Sequence, residues 1–161
     1  MLWRGVLGAA LPSEDGGAEA HRAVGVKLVD LVAFEEEETT NWVGIGLIAE
    51  RPIGHRGVVE VSVQGLAGSP GFSVPIDLLL KRVWSRGRLI VTAGGGPALT
   101  LLRRDEETSI FPGALASLGG SWWFGQEESW GLLAEIDAGG SVESGGLVPE
   151  IEFAVGALLK F

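Results

Sequence analysis

The last eleven residues of the chain, IEFAVGALLKF (residues 151–161), carry the pattern that decides the fold. Every second residue from Ile151 to Phe161 is apolar, whereas the positions between them include Glu152, Gly156 and Lys160. A period of two places alternate side chains on opposite faces of a β-strand, and the helical period of 3.6 fits this stretch less well. The chain therefore ends in a strand with one apolar face and one small or charged face.

The same period of two recurs through most of the chain. Segments rich in glycine, proline and acidic residues separate the alternating stretches. The pattern predicts eight strands, at residues 21–32, 42–51, 58–66, 72–84, 88–104, 113–124, 129–138 and 149–161. They are 9 to 17 residues long, against about 5–6 for a globular strand and about 9–11 for a strand that crosses a membrane. These lengths favour a membrane-spanning barrel.

The length and composition set further bounds. A chain of 161 residues suits one domain. We expect residues 21–161 to form it and residues 1–20 to be an N-terminal tail or the remnant of a targeting segment. Cysteine is absent, which excludes disulfides and cysteine-based zinc sites, and the formal net charge of -9 argues against nucleic-acid binding. The sequence has no apolar run long enough for a membrane helix.

The non-apolar face of the predicted strands indicates which side is the interior. In a membrane barrel the apolar face meets lipid and the other face lines the lumen. That other face combines glycines with charges of both signs, which suits a narrow lumen because buried charges must be paired. A solvated outer face with surface ion pairs is the alternative. We predict a structural network of lumen charges made of Lys27, Glu50, Glu60, Asp77, Lys81, Arg104, Glu135, Asp137 and Glu152.

Aromatic residues gather towards one end of the predicted barrel. With the N-terminus on the periplasmic side, the connections at 52–57, 85–87 and 125–128 are periplasmic turns. The aromatics beside these turns or at the C-terminus predict a membrane-interface girdle of Trp84, Trp122, Trp123, Phe124, Trp130 and Phe161. Trp42, Phe72 and Phe111 fall near the other end. An aromatic core cluster is the alternative interpretation.

Three stretches carry a resemblance to a known family. They are the alternating strand that ends in Phe161, the pair of segments at 74–81 and 89–96, and the segment at 130–136. Residues 21–161 resemble the small outer-membrane β-barrel family of Gram-negative bacteria, the OmpA/OmpX-like eight-stranded type. The absence of tyrosine and the presence of Pro75 and Pro97 inside strands depart from it, and we expect Pro97 above the lipid zone or at a bulge.

The resemblance implies an all-β fold, an eight-stranded antiparallel up-and-down transmembrane β-barrel in the bacterial outer membrane. It also implies contacts with outer-membrane lipids and lipopolysaccharide. The barrel-insertion machinery would recognise the C-terminal strand through Phe161. The protein is expected to be a monomer.

Residues that could carry catalysis or bind a metal are sparse. His21 precedes the first predicted strand and His55 lies in a turn, without a histidine pair at ligand spacing. We therefore expect no enzyme activity, no cofactor and no metal site. The acidic connections at 35–38 and 105–107 are interpreted as solvated loops or, alternatively, as sites where divalent cations bridge to lipopolysaccharide.

These observations predict a structural, adhesive or envelope-maintaining role. An eight-stranded lumen is only wide enough for side chains, which argues against a general porin. Two alternatives stay open at this point. One is a soluble lipocalin-like barrel that binds a hydrophobic small molecule inside, and the other is a narrow channel.

Overall fold

The computed structural model describes residues 22–35, 38–69, 71–104, 107–125, 128–143 and 146–161. The predicted tail at 1–20 lies outside the described residues. The eight strands are β1 (Ala23–Phe34), β2 (Thr39–Ile53), β3 (Gly57–Gly68), β4 (Gly71–Arg86), β5 (Leu89–Arg104), β6 (Glu107–Phe124), β7 (Trp130–Glu143) and β8 (Gly146–Lys160). Each strand pairs antiparallel with the next, and β8 pairs with β1, so the sheet is a closed barrel. The predicted eight-stranded up-and-down architecture is confirmed.

Short connections join consecutive strands at the two ends of the barrel. The terminal rim holds the turns at 54–56 and 87–88, the connection at 125–129, and both described chain ends, Arg22 and Phe161. The distal rim holds the other four connections. The predicted strands at 113–124 and 129–138 were too short at their distal ends, because β6 begins at Glu107 and β7 continues to Glu143. The strands therefore reach further towards the distal rim than the local glycine and proline content indicated. In the described residues, no helix has the length and apolar character needed to cross a membrane.

Apolar side chains face outward and charged side chains face inward. Leu28, Leu47 and Val155 are 62%, 63% and 56% exposed, whereas Lys27 and Lys81 are each 1% exposed. This is the reverse of a soluble barrel, in which the apolar face fills the centre. The lipocalin-like alternative is therefore wrong, since the interior is lined by charged side chains at mid-height rather than by an apolar ligand cavity.

The two prolines that depart from the family pattern, Pro75 and Pro97, lie inside the sheet. Pro75 pairs with Thr100 of β5, and Pro97 pairs with Ala114 of β6. On the other side of each proline the ladder has a short gap, and the register is the same before and after it. The gap lies between β3 and β4 for Pro75 and between β4 and β5 for Pro97. Proline has no N–H to donate, so it interrupts the ladder on one side only. The expectation for Pro97 was wrong, because it lies near the middle of β5 with no residue inserted into the register.

Candidate functional site

A layer of buried charged side chains crosses the middle of the barrel interior. Lys81 on β4 donates hydrogen bonds through Nζ to Glu60 Oε2 at 2.5 Å and to Glu135 Oε2. Lys27 on β1 donates to Glu135 Oε1 at 3.3 Å and to Glu152 Oε1 at 3.0 Å. Glu135 therefore bridges the two lysines. The result is a chain of alternating charges that runs Glu60, Lys81, Glu135, Lys27, Glu152.

Two neutral side chains of β3 extend this charged layer. Gln64 donates through Nε2 to Glu152 Oε2 at 2.9 Å and to Asp77 Oδ2 at 3.2 Å. Ser62 donates through Oγ to Asp77 Oδ2 at 2.7 Å. Neither Gln64 nor Ser62 was among the predicted lumen residues. Both lie at even spacing from Glu60 on the same strand, so the strand alternation already placed them on the inward face.

The charged layer holds more carboxylates than lysines. Its five carboxylates are at most 3% exposed, and they are Glu60, Asp77, Glu135, Asp137 and Glu152. Among the described residues, Glu60, Glu135 and Glu152 form ion pairs with the two lysines. Asp137 lies opposite Ser117 and Glu152 in the ladders, and its Oδ1 has no hydrogen-bond partner within the described residues. Asp137 is thus buried in the layer without a cationic partner among those residues.

Two of the predicted lumen charges lie outside the charged layer. Glu50 is half-buried near the terminal rim, where it lines a small space with Val83 and Ile90. Arg104 lies at the distal rim, where its Nη2 donates to Glu35 Oε1 at 2.7 Å. The Arg104 side chain is 39% exposed. The structure therefore brings seven of the nine predicted residues into the layer and places these two nearer the mouths of the barrel.

Glycines give the long charged side chains their space. A Cβ atom on Gly46 would lie 3.0 Å from Lys27 Cγ and 3.2 Å from Gln64 Cγ. A Cβ atom on Gly119 would lie 3.2 Å from Glu135 Oε2. The predicted combination of glycine and charge on the inward face is therefore a packing arrangement, in which small residues stand beside the lysine and carboxylate side chains.

Apolar side chains fill the interior on both sides of the charged layer. The distal apolar layer consists of Val29, Leu31, Ala33, Trp42, Leu66, Leu102 and Ala154. The terminal apolar layer consists of Ala23, Ile48, Trp123, Leu133 and Leu158. On β1 the order is visible within one strand, since Ala23 precedes Lys27 and Leu31 follows it on the same face. The charged layer is therefore enclosed between two apolar layers.

The predicted aromatic girdle needs one correction. Trp123 is 3% exposed, belongs to the terminal apolar layer, and donates through Nε1 to Ser121 Oγ at 2.9 Å. Adjacent strand residues point to opposite faces, so Trp122 and Trp123 cannot both face lipid. Trp122 is the outward one, at 48% exposed. Trp42 is likewise inward, and Phe111 packs on the distal apolar layer.

The other predicted girdle residues lie near the terminal rim. Phe124 stacks on Trp130 with ring centroids 4.6 Å apart, and Phe161 is 73% exposed. Trp84 lies on β4 under the guanidinium of Arg82, which is 5.4 Å from the ring centroid. Their placement at a membrane interface stays a prediction.

An acidic residue interrupts the outward apolar face. Asp30 on β1 is exposed, and its cross-strand neighbours are Val43 and Phe153. Along β1 the outward residues on either side are Leu28 and Val32. A carboxylate among lipid-facing apolar side chains is unfavourable, although less so than a lysine or arginine.

The described residues offer little chemistry for catalysis. Within them, no group of three or more histidine, aspartate or glutamate side chains is placed to hold a metal ion. His55 is exposed in the turn at 54–56, and His21 lies outside the described residues. The charged side chains of the lumen contact one another, so the arrangement can hold strands together.

Three solved structures share this architecture. Neisserial surface protein A is 14% identical with a TM-score of 0.72, covering 87% of this chain and 97% of its own. The outer membrane protein OprG from Pseudomonas aeruginosa is 12% identical with a TM-score of 0.64, covering 90% and 98%. Ail of Yersinia pestis, in complex with the heparin analogue sucrose octasulfate, is 12% identical with a TM-score of 0.60, covering 89% and 100%.

The fold is that of the small outer-membrane β-barrels. No family model matches the chain, and no curated protein matches it. At 12% to 14% identity the likeness is one of fold. The predicted eight-stranded outer-membrane type is confirmed at that level.

Proposed function

We propose that this chain is a structural barrel of the bacterial outer membrane that helps to maintain the envelope. The observation that carries the proposal is the filled interior, in which a charged layer is enclosed between two apolar layers. The outward apolar face and the outer-membrane proteins that share the fold support the location. An enzyme role has no support, because both buried lysines and three of the buried carboxylates are engaged in ion pairs with one another in the lumen.

Ion conduction tests the filled interior directly. Trp42 and Trp123, at 4% and 3% exposed, lie in the two apolar layers that a permeating ion would have to pass. We expect the refolded protein to give no conductance steps in a planar bilayer. The double variant Trp42→Ala and Trp123→Ala serves as the opened control. Regular conductance steps from the unmodified chain would favour the narrow channel instead.

The location and the envelope role are tested in cells. Tagged protein should fractionate with the outer membrane and should migrate faster on gels before heating than after it. Loss of the gene should make cells more sensitive to detergents that the intact envelope excludes. Recovery in the soluble fraction would contradict the location, and unchanged detergent sensitivity would contradict the envelope role.

Adhesion is a second candidate function, which one of the proteins that share the fold suggests. The solved structure of Ail, named for attachment and invasion, contains a heparin analogue. In the present chain the distal rim is acidic within the described residues, with exposed Glu38 and Glu107 beside the ion pair of Glu35 with Arg104. Negative charge disfavours sulfated ligands. We expect no binding to a heparin column at physiological salt, so an adhesive role is the weaker candidate.

The finer partner assignments are also proposals. Divalent cations on the distal carboxylates would bridge this rim to lipopolysaccharide, because hard cations take carboxylate oxygens. Calcium should then raise the melting temperature in lipopolysaccharide bilayers, and an unchanged temperature would contradict the bridge.

The outward alternation from Phe153 to Phe161 supports recognition of β8 by the barrel-insertion machinery. The protein is proposed to be monomeric.

A further inference from the structure

The terminal rim carries most of the described arginines. Six arginines lie at this end of the barrel, all of them exposed, and they are Arg22, Arg51, Arg56, Arg82, Arg86 and Arg88. The described carboxylates at this end are Glu128 in the connection at 125–129 and half-buried Glu50 on the inward side. At the distal rim the balance is reversed, with carboxylates outnumbering Arg103 and Arg104. The barrel therefore has one basic and one acidic end within its described residues.

The arginines of the terminal rim are confined to one side of the barrel. They occupy the segments from Arg22 at the start of β1 to Arg88 in the turn before β5. On β6 to β8 the described outward residues of the same rim are aromatic or aliphatic, namely Trp122, Phe124, Trp130, Leu132, Leu159 and Phe161. The terminal rim thus divides into an arginine sector on β1 to β4 with the turns at 54–56 and 87–88, and an aromatic sector on β6 to β8.

Within the arginine sector the strand register leaves a position without a side chain next to Arg82. Gly57 of β3 is paired with Ile53 of β2 on one side and with Arg82 of β4 on the other. Arg51 lies two residues before Ile53 on the same face of β2. Strands β2 and β4 are about 10 Å apart, since neighbouring strands are about 4.8 Å apart. Gly57 contributes no side chain beside Arg82, and Arg51 is level with Val59, one outward position further from the rim.

The arginine sector lies at the level of the predicted membrane-interface girdle, which includes Trp84. The guanidinium of Arg82 lies over the ring of outward-facing Trp84. Aromatic side chains of this kind favour the level of lipid headgroups. An arginine stem can lie along the apolar face while its guanidinium reaches the headgroups. At the predicted interface the cationic groups would meet lipid phosphates.

We propose that the arginine sector binds the phosphodiester headgroups of anionic glycerophospholipids in the adjoining leaflet. Guanidinium groups form paired hydrogen bonds with phosphate oxygens, and an anionic headgroup adds net charge that a zwitterionic one lacks. The aromatic sector and the acidic distal rim offer no comparable cluster of cations among the described residues. Bound anionic lipid is therefore expected on one side of one rim.

Native mass spectrometry of retained lipids tests this proposal. The full chain is refolded into nanodiscs that contain equal amounts of phosphatidylglycerol and phosphatidylcholine, and the lipids that stay bound after release are counted. We expect phosphatidylglycerol to be enriched over phosphatidylcholine. The double variant Arg51→Gln and Arg82→Gln should lose about fivefold of that enrichment for each arginine removed.

Matched variants distinguish an effect of the arginine sector from an effect of the total charge of the protein. Arg103→Gln with Arg104→Gln removes the same charge from the distal rim and should keep the enrichment. Arg51→Lys with Arg82→Lys keeps the charge and should retain most of it, which also shows that the barrel tolerates substitution at these sites. An unmodified protein that retains both lipids equally, or equal losses from the two glutamine variants, would overturn the proposal.

Discussion

The charged layer and the two apolar layers of the interior are equally buried but differ in what they require of the sequence. Leu66 is 0% exposed and Lys81 is 1% exposed. An apolar layer needs only the right volume, so several residue types can fill it. The charged layer needs particular partners, because Glu135 must meet lysines from β1 and β4 at once. Apolar packing thus excludes water, and the ion pairs specify which strands face each other across the lumen.

Removal of Glu135 should have the largest effect on stability. Glu135→Ala leaves Lys27 and Lys81 buried with one carboxylate partner each. Breaking a buried ion pair on one side costs about 3–5 kcal/mol. We expect a loss of that size in denaturant unfolding from lipid vesicles. Glu38→Ala, at an exposed position of the distal rim, is the control, and equal unfolding midpoints for the two variants would contradict the role of the charged layer.

A cavity in the distal apolar layer should cost slightly less. Leu66→Ala removes a fully buried side chain that packs with Trp42 and Leu31. Large-to-small changes at such sites cost about 3 kcal/mol, within a wide range. The same unfolding experiment measures it. Leu66→Met keeps the volume and should cost less than about 1.5 kcal/mol, so a larger loss for Met than for Ala would show that the layer is not held by volume.

Replacing a carboxylate on the outward face should have the opposite effect and raise the stability. Asp30→Leu replaces an exposed acidic side chain between Val43 and Phe153 with an apolar one. Because the outward face meets lipid, we expect this variant to be more stable by about 1 kcal/mol in vesicles. Destabilisation would show that Asp30 makes a favourable contact that the outward arrangement does not explain.

Replacement of Asp137 should have the smallest effect on stability, and it compares a carboxylate without an ion pair with the paired Glu135 of the same layer. It is as buried as Glu135 but has no ion pair among the described residues. Asp137→Asn preserves shape and removes a buried charge without a cationic partner, so the free energy of unfolding should change by less than about 1 kcal/mol or should rise. A loss as large as that of Glu135→Ala would mean that the whole layer depends on net charge and not on specific pairs.

The sequence predicts the faces of this barrel better than its contacts. Alternation is local, so the eight strands, their inward charges and the outward apolar residues follow from single segments. The partners of Lys27 do not, because they depend on the register between strands that are far apart in the chain. Trp123 shows that proximity to a turn is a poorer guide than alternation. The alternation that places Ser121 inward also places Trp123 inward.

Two other features could not be obtained from local patterns. The prolines at 75 and 97 fit inside strands because each loses pairing on one side only, which depends on the neighbouring strand. The long strands β6 and β7 continue through Pro112 and Gly139, since both residues pair across the ladder. Strand ends are decided by the partner strand as much as by the local residues.

The position of Lys27 has a consequence for how the barrel closes. Its two carboxylate partners lie on β7 and β8, so these ion pairs form across the contact between the first strand and the last. A slip of β1 by two residues would keep every side chain on its own face but would move the Lys27 ammonium about 7 Å along the strand. The ion pairs of Lys27 therefore favour the observed register of the closure, because a slipped register would leave this buried ammonium group away from its carboxylate partners.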